Sequence, residues 1–196
     1  SGGLSVCARL GITYFDKRSF QPDEILPEEN EYTLSQTMRG WYYAPFREKP
    51  ATSDWWKMDN ASREIVTGPD LSIRLSISEE DDGVNLQIHT EGCEHVPYKI
   101  EFGVENGCFV KTNGFFCMAQ AGGKIVARTG SAELSKGADC IKIGPCFGKH
   151  FHIEGKDGVK DTDDTLFHIY FTGFTGSDQL LRFQKVSNRF AAPNSL

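Results

Sequence analysis

The sequence predicts an all-β protein, a jelly-roll-like antiparallel β-sandwich. Three observations lead there. Apolar and polar residues alternate with a period of two, as in "LSIRLSIS" at 71–78, and side chains alternate across a strand. Strand-like segments recur at about the 8–12-residue spacing of a sandwich or barrel, with Gly, Asn or Asp between nearly all of them. No segment of helical length carries a clean 3.6-residue period. So many strands in one domain of 196 residues imply two packed sheets, because one open sheet would leave long exposed edges.

The elements follow in order. Residues 4–18, "LSVCARLGITYFDKR", read as one or two short strands. "QPDEILPEENE" (21–31) is acidic, holds two prolines and reads as an exposed loop. "YTLSQTMRGWYYAPFR" (32–47) reads as a strand leaving a turn near Gly40. "ATSDWWKMDNASRE" (51–64) allows a short helical turn capped by Ser53 or Asp54. Residues 1–65 thus form a less regular portion packed on the sandwich, within a single domain spanning 1–196. From Leu71 the pattern sharpens. Leu71, Ile73, Leu75 and Ile77 share one face, and Ser72, Arg74, Ser76 and Ser78 share the other. "EEDDG" (79–83) is a turn and "VNLQIHT" alternates after it, which predicts a hairpin with a loop longer than two residues. Further strands are expected in "VPYKIEFGV" (96–104), "CFVKT" (108–112), "FFCMAQ" (115–120), "KIVART" (124–129), "DCIKIG" (139–144), "HFHIEG" (150–155), "TLFHIYFTGF" (165–174) and "LLRFQKV" (180–186).

Composition narrows the function. Fourteen Phe, six Tyr, three Trp and 20 Gly lean toward β structure. A net charge of −6 argues against a phosphate-backbone partner, so no nucleic acid is expected. No apolar run approaches the ~20 residues of a membrane helix, so no membrane partner is expected. No signal peptide is read, although one could have been removed. The six cysteines match no small secreted scaffold, and Cys117 and Cys140 sit in apolar contexts. Reduced thiols and a cytoplasmic setting are therefore expected, with secretion as the alternative.

Two constellations suggest chemistry. "GADCIKIGPCFGKHFHIEG" (137–155) contains Gly144, five residues, then His150-Phe151-His152, the opening of a cupin-like metal motif. A divalent transition metal would be held by His150 and His152, with Asp157 or His168 in support. Against this, Glu154 comes too early for the motif's Glu, and the motif's second half is missing. Strand alternation alone explains the spacing, with His150 and His152 toward solvent and Phe151 and Ile153 toward the core. Cys140 and Cys146 are spaced too widely for a zinc knuckle. "KDGVKDTDDT" (156–165) lacks the spacing and Gly of a calcium loop. No nucleophile elbow or phosphate loop is present.

The aromatic residues form the second constellation. "GWYYAPF" (40–46) and "DWWKMD" (54–59) hold all three Trp. Trp41, Tyr43, Trp55 and Trp56, with Arg39, Asp54 and Asp59, would make a carbohydrate platform: flat rings stack on sugar faces and polar groups bind hydroxyls. Alternatively the rings plug the open edge of the sandwich as core. Of two adjacent Trp in an extended segment, one faces in and one out.

"GCEHVPYKIEFGVENG" (92–107), "GADCIKIGP" (137–145) and "FHIYFTGF" (167–174) together resemble β-sandwich domains of bacterial polysaccharide-processing proteins, similar to the C-terminal domain of heparinase II/III-type lyases. The resemblance spans about residues 70–186 and is one of strand texture. It implies an accessory module, because the catalytic groups of such lyases lie mainly outside this domain, in an α-toroid and a neighbouring sheet. No catalytic residue carries over. The expected function is a carbohydrate-associated module, binding or accessory, with no cofactor and no enzymatic activity. The alternatives are the cupin-like metalloenzyme and a structural or interaction domain of a larger protein.

Overall fold

A computed structural model describes residues 2–6, 9–10, 13–17, 19–151, 153 and 165–186. The strands are β1 (Gly2–Val6), β2 (Arg9–Leu10), β3 (Thr13–Phe15), β4 (Glu24–Pro27), β5 (Glu31–Met38), β6 (Gly40–Tyr43), β7 (Ile65–Thr67), β8 (Leu71–Glu80) and β9 (Gly83–Gly92). They continue as β10 (Pro97–Val104), β11 (Phe109–Thr112), β12 (Phe115–Met118), β13 (Lys124–Val126), β14 (Ala132–Lys136), β15 (Asp139–Gly144), β16 (Phe167–Phe174) and β17 (Gln179–Lys185). Two short 3-10 turns, Trp55–Lys57 and Asn60–Ser62, are the only helical segments among the described residues.

The protein is the all-β antiparallel sandwich that the alternation predicts. A nine-stranded sheet runs β12-β11-β14-β15-β17-β9-β8-β5-β4, and a four-stranded sheet runs β1-β10-β16-β13. Among the described residues every strand pairing is antiparallel except β13 with β16. Leu71 and Ile73 of β8, Ile88 of β9 and Leu181 of β17 enter the core from the large sheet, and Ile100, Ile169 and Phe171 enter it from the other. Phe102 bridges the layers, packing edge-on against Phe183 at 5.1 Å and Phe171 at 5.6 Å. A third, small sheet, β2-β3-β6-β7, carries the aromatic segment.

Several local expectations are corrected. The stretch 21–31 contains β4, whose residues are all exposed. With neither face buried there is no alternation to read. The 79–83 hairpin closes on two residues, Asp81 and Asp82, between the paired Glu80 and Gly83. "HFHIEG" does not begin as a strand: His150 and Phe151 belong to an irregular strap that follows Pro145. A proline cannot donate to a ladder, which favours an end to β15 there. The strap crosses the outer face of β16. Lys149 N donates to Thr172 O (2.9 Å), and Thr172 Oγ1 donates to His150 O (2.7 Å). Both faces of β10 and β16 are consequently buried over most of their length.

Candidate functional site

The small sheet builds the aromatic cluster. Register places Tyr14 of β3 opposite Trp41 of β6. Their rings stack at 4.6 Å, and Tyr43, two residues along the same face, meets Trp41 edge-on at 5.3 Å. Strand β7 then brings the chain back beside β6, with Ala44 N donating to Glu64 O (2.8 Å). This return delivers Arg63 to the cluster. Its Nε donates to Ala44 O (2.7 Å), its Nη2 to Tyr43 O (3.0 Å) and its Nη1 to Asn60 Oδ1 (3.3 Å). The guanidinium lies 4.7 Å from the Phe46 ring, 5.3 Å from Tyr43 and 5.8 Å from Trp55. A planar cation can stack on rings while its fork satisfies carbonyls, and a lysine cannot do both.

The Trp55–Trp56 pair sits on the expected turn, and Asp54 is its cap. The Asp54 carboxylate accepts from Trp56 N (3.2 Å) and pairs with Lys57 (3.1 Å). Asn60 Nδ2 donates to Trp55 O (3.1 Å). On a 3-10 turn the in-and-out expectation for adjacent Trp fails. Trp55 is 38% exposed and Trp56 is 90% exposed. Beside the turn lies a surface cleft of about 800 Å³, walled by residues 44–52, 57–59 and 62–64. Phe46, Asp59 and Arg63 line it, so the cleft and the Trp55 ring share the Arg63 guanidinium as a wall.

Of the predicted platform residues, Tyr43 and Trp55 are brought together through Arg63, and Trp41 joins them through Tyr43. Trp56 stands free on the surface, Asp54 holds the turn, and Asp59 lines the cleft. Arg39 precedes the far end of β6, where its N–H donates to Asp16 Oδ1 (2.9 Å). Sequence reasoning missed Tyr14, Phe46, Asn60 and Arg63. The available signal was "IVT" at 65–67, a short β-branched run that pairs with β6 and fixes where Arg63 falls.

The histidines tell a different story. His150, expected toward solvent, is half-buried, and its Nε2 lies 3.1 Å from Tyr98 O and 3.0 Å from Gly173 O. Both partners only accept, so Nε2 carries the proton and is not a metal ligand in this arrangement. Phe151, expected in the core, is 66% exposed and lies under the Arg128 guanidinium at 5.0 Å. An imidazole can satisfy two carbonyls and a phenyl ring cannot, which accounts for the reversal. His168 is fully buried, and its Nδ1 lies 3.0 Å from Glu101 Oε1. It sits four to five residues along β16 from the Thr172–Gly173 end where His150 docks, so the two imidazoles do not converge. His152 and Asp157 lie outside the described residues. Among the described residues no group of three or more His, Cys, Asp or Glu side chains could hold a metal ion.

His168 belongs instead to a buried polar seam on the strap side of β10 and β16. Lys99 Nζ donates to Ile153 O (2.9 Å), lies 3.5 Å from Glu101 Oε2 and sits 4.9 Å from the Tyr170 ring centre. Lys99, Glu101, His168, Tyr170 and Thr172 are all buried. The five described cysteines are free thiols. Burial pushes the Cys93, Cys117 and Cys140 thiols up, and Cys146 to about 11 despite an Ala132 N–H that favours its thiolate. These four stay protonated at neutral pH, the form that neither attacks nor ligates. No helix among the described residues is long and apolar enough to cross a membrane.

No protein-family model, curated protein or solved structure matches the chain.

Proposed function

We propose that the chain is a carbohydrate-binding module whose ligand surface is the Trp55–Trp56 turn and the adjoining cleft. The observation that carries this reading is Trp56, an indole 90% exposed on a turn held by the Asp54 cap and by the Asn60 bond to Trp55 O. A large ring offered to solvent on an ordered support loses little entropy when a sugar face stacks on it. The cleft beside it supplies carboxylates, an ammonium and a hydroxyl for the sugar's OH groups. Tryptophan fluorescence titrated against a glycan panel tests it. At least one glycan should change the emission, and Trp56→Ala should weaken binding by about tenfold, the loss of one stacked ring. A flat response across the panel removes the reading.

A second reading, an interaction domain, is favoured by strand β12. It is one edge of the large sheet and exposes Phe115, Phe116 and Met118 with no charge among its residues. Uncharged apolar edges are sites where another chain adds a strand. Sedimentation of the protein and of Phe116→Lys tests self-association through that edge.

A further inference from the structure

We infer that the cleft beside Trp55 and Trp56 takes an uncharged glycan rather than one bearing uronate or sulfate groups. This deepens the carbohydrate-binding reading and rests on it. The cleft is charged but balanced. Arg47 Nη2 faces Glu64 Oε2 at 3.5 Å, and Lys57 Nζ faces Asp54 Oδ2 at 3.1 Å. That leaves Lys49 and Arg63 against Glu48 and Asp59. Arg63 is only partly engaged: three of its five N–H groups donate to Ala44 O, Tyr43 O and Asn60 Oδ1, all neutral oxygens, so its charge stays in the cleft wall. The groups left to meet a ligand are therefore two carboxylates, one ammonium and one partly engaged guanidinium.

Sugar hydroxyls both donate and accept, so this set suits them: Glu48 and Asp59 accept, and Lys49 and the remaining Arg63 N–H groups donate. A ligand carboxylate or sulfate only accepts. It would meet the Lys49 and Arg63 cations but also two carboxylates that repel it, so it gains no net attraction and leaves the two acceptors unused. The long-range field adds to this, since the whole chain carries −6 and offers an acidic polymer no attraction on approach. A balanced site also predicts that binding hardly changes with salt, because there is no net local charge to screen.

The test is calorimetry with neutral cello-, manno- and malto-oligosaccharides and with oligogalacturonate, at about 0.05 M and about 0.5 M NaCl, where screening lengths differ about threefold. One neutral series should bind with a Kd that moves less than about twofold between the salts, and oligogalacturonate should bind at least about tenfold more weakly. Glu48→Gln combined with Asp59→Asn should narrow that gap and make oligogalacturonate binding salt-sensitive. Neither carboxylate has a hydrogen-bond partner among the described residues, so a thermal melt should show this variant folded. Oligogalacturonate binding more tightly than every neutral series, or a double variant with unchanged discrimination, overturns the inference and leaves the glycan reading standing. Binding by neither class removes the glycan reading itself, and the inference with it.

Discussion

The Trp55–Trp56 turn and the Lys99–Glu101–His168 seam both gather chemically able side chains, yet solvent meets them in opposite ways. At the turn, polar groups hold the backbone and an indole is left outside. In the seam, charged side chains lie on the outer face of a sheet and a strap closes over them. Polar residues therefore support a surface in one place and fill an interior in the other. Function is expected at the first. The second ties the strap to the sheet, because a buried Lys–Glu–His set needs its partners in place.

The largest effect that would break this contrast comes from the seam. Glu101→Leu leaves the Lys99 ammonium buried beside an apolar group, and should destabilise by about 3–5 kcal/mol in urea denaturation. Combining it with Lys99→Met removes both charges and should cost less than the single substitution. Glycan binding by any single variant that still folds should be unchanged. If Glu101→Leu abolished binding in a folded protein, the division between the two regions would collapse. Next comes Gly173→Ala on β16. A Cβ there would lie 2.5 Å from Tyr98 Cζ and Oη, so ring and strand must part, at about 1–3 kcal/mol by the same denaturation.

In the aromatic region Arg63→Ala should cost about 1–2 kcal/mol, since the guanidinium donates to three oxygens while packing on rings. Arg63→Lys should not restore it, because an ammonium lacks the planar fork. Trp56→Ala should change stability by less than about 0.5 kcal/mol, the range of exposed sites, while weakening the proposed glycan binding by about tenfold. A Trp56→Ala protein that melts well below the parent would show the ring to be core.

How much of this was legible follows from what period-two patterning encodes. Leu71 and Ile73 announced their strand and their burial, and Asp54 announced a cap, because both signals are local. Strand β4 announced nothing, since an edge strand exposed on both faces has no alternation. Lys99 and Glu101 alternate as an outer face should, and they are on that face, but period two does not record what lies over it. The strap at 145–151 is irregular, and long-range bonds decide which of its side chains turn inward. That is why His150 is in and Phe151 is out. Arg63 was hidden for a related reason: its partners Tyr43 and Ala44 lie about 20 positions earlier in the chain and meet it only through the β6–β7 pairing.

The smallest expected effect sharpens the contrast between exposed and buried charge. His89 of β9 sits between two carboxylates, with Nε2 2.8 Å from Glu91 Oε1 and Nδ1 2.6 Å from Asp178 Oδ1, and with Arg74 of β8 directly across the pair. Glu91 first and Asp178 second hold the His89 imidazolium, raising its pKa, and His89 in turn lowers that of Glu91. Because the folded value is raised, the contribution of His89 is full below the ordinary imidazole range and is lost as pH rises through the raised value. The contribution of Glu91 runs the other way: present above the ordinary carboxylate range, lost as pH falls through its lowered value. The cluster should therefore help most between the two, and only slightly, since solvent screens a half-exposed pair. An NMR titration of the imidazole should place His89 above a free histidine, with Glu91→Gln lowering it more than Asp178→Asn. A His89 that titrates like free histidine would show that these short contacts do not persist in solution. The cluster would then be ordinary surface charge, unlike a seam whose charges have no water to turn to.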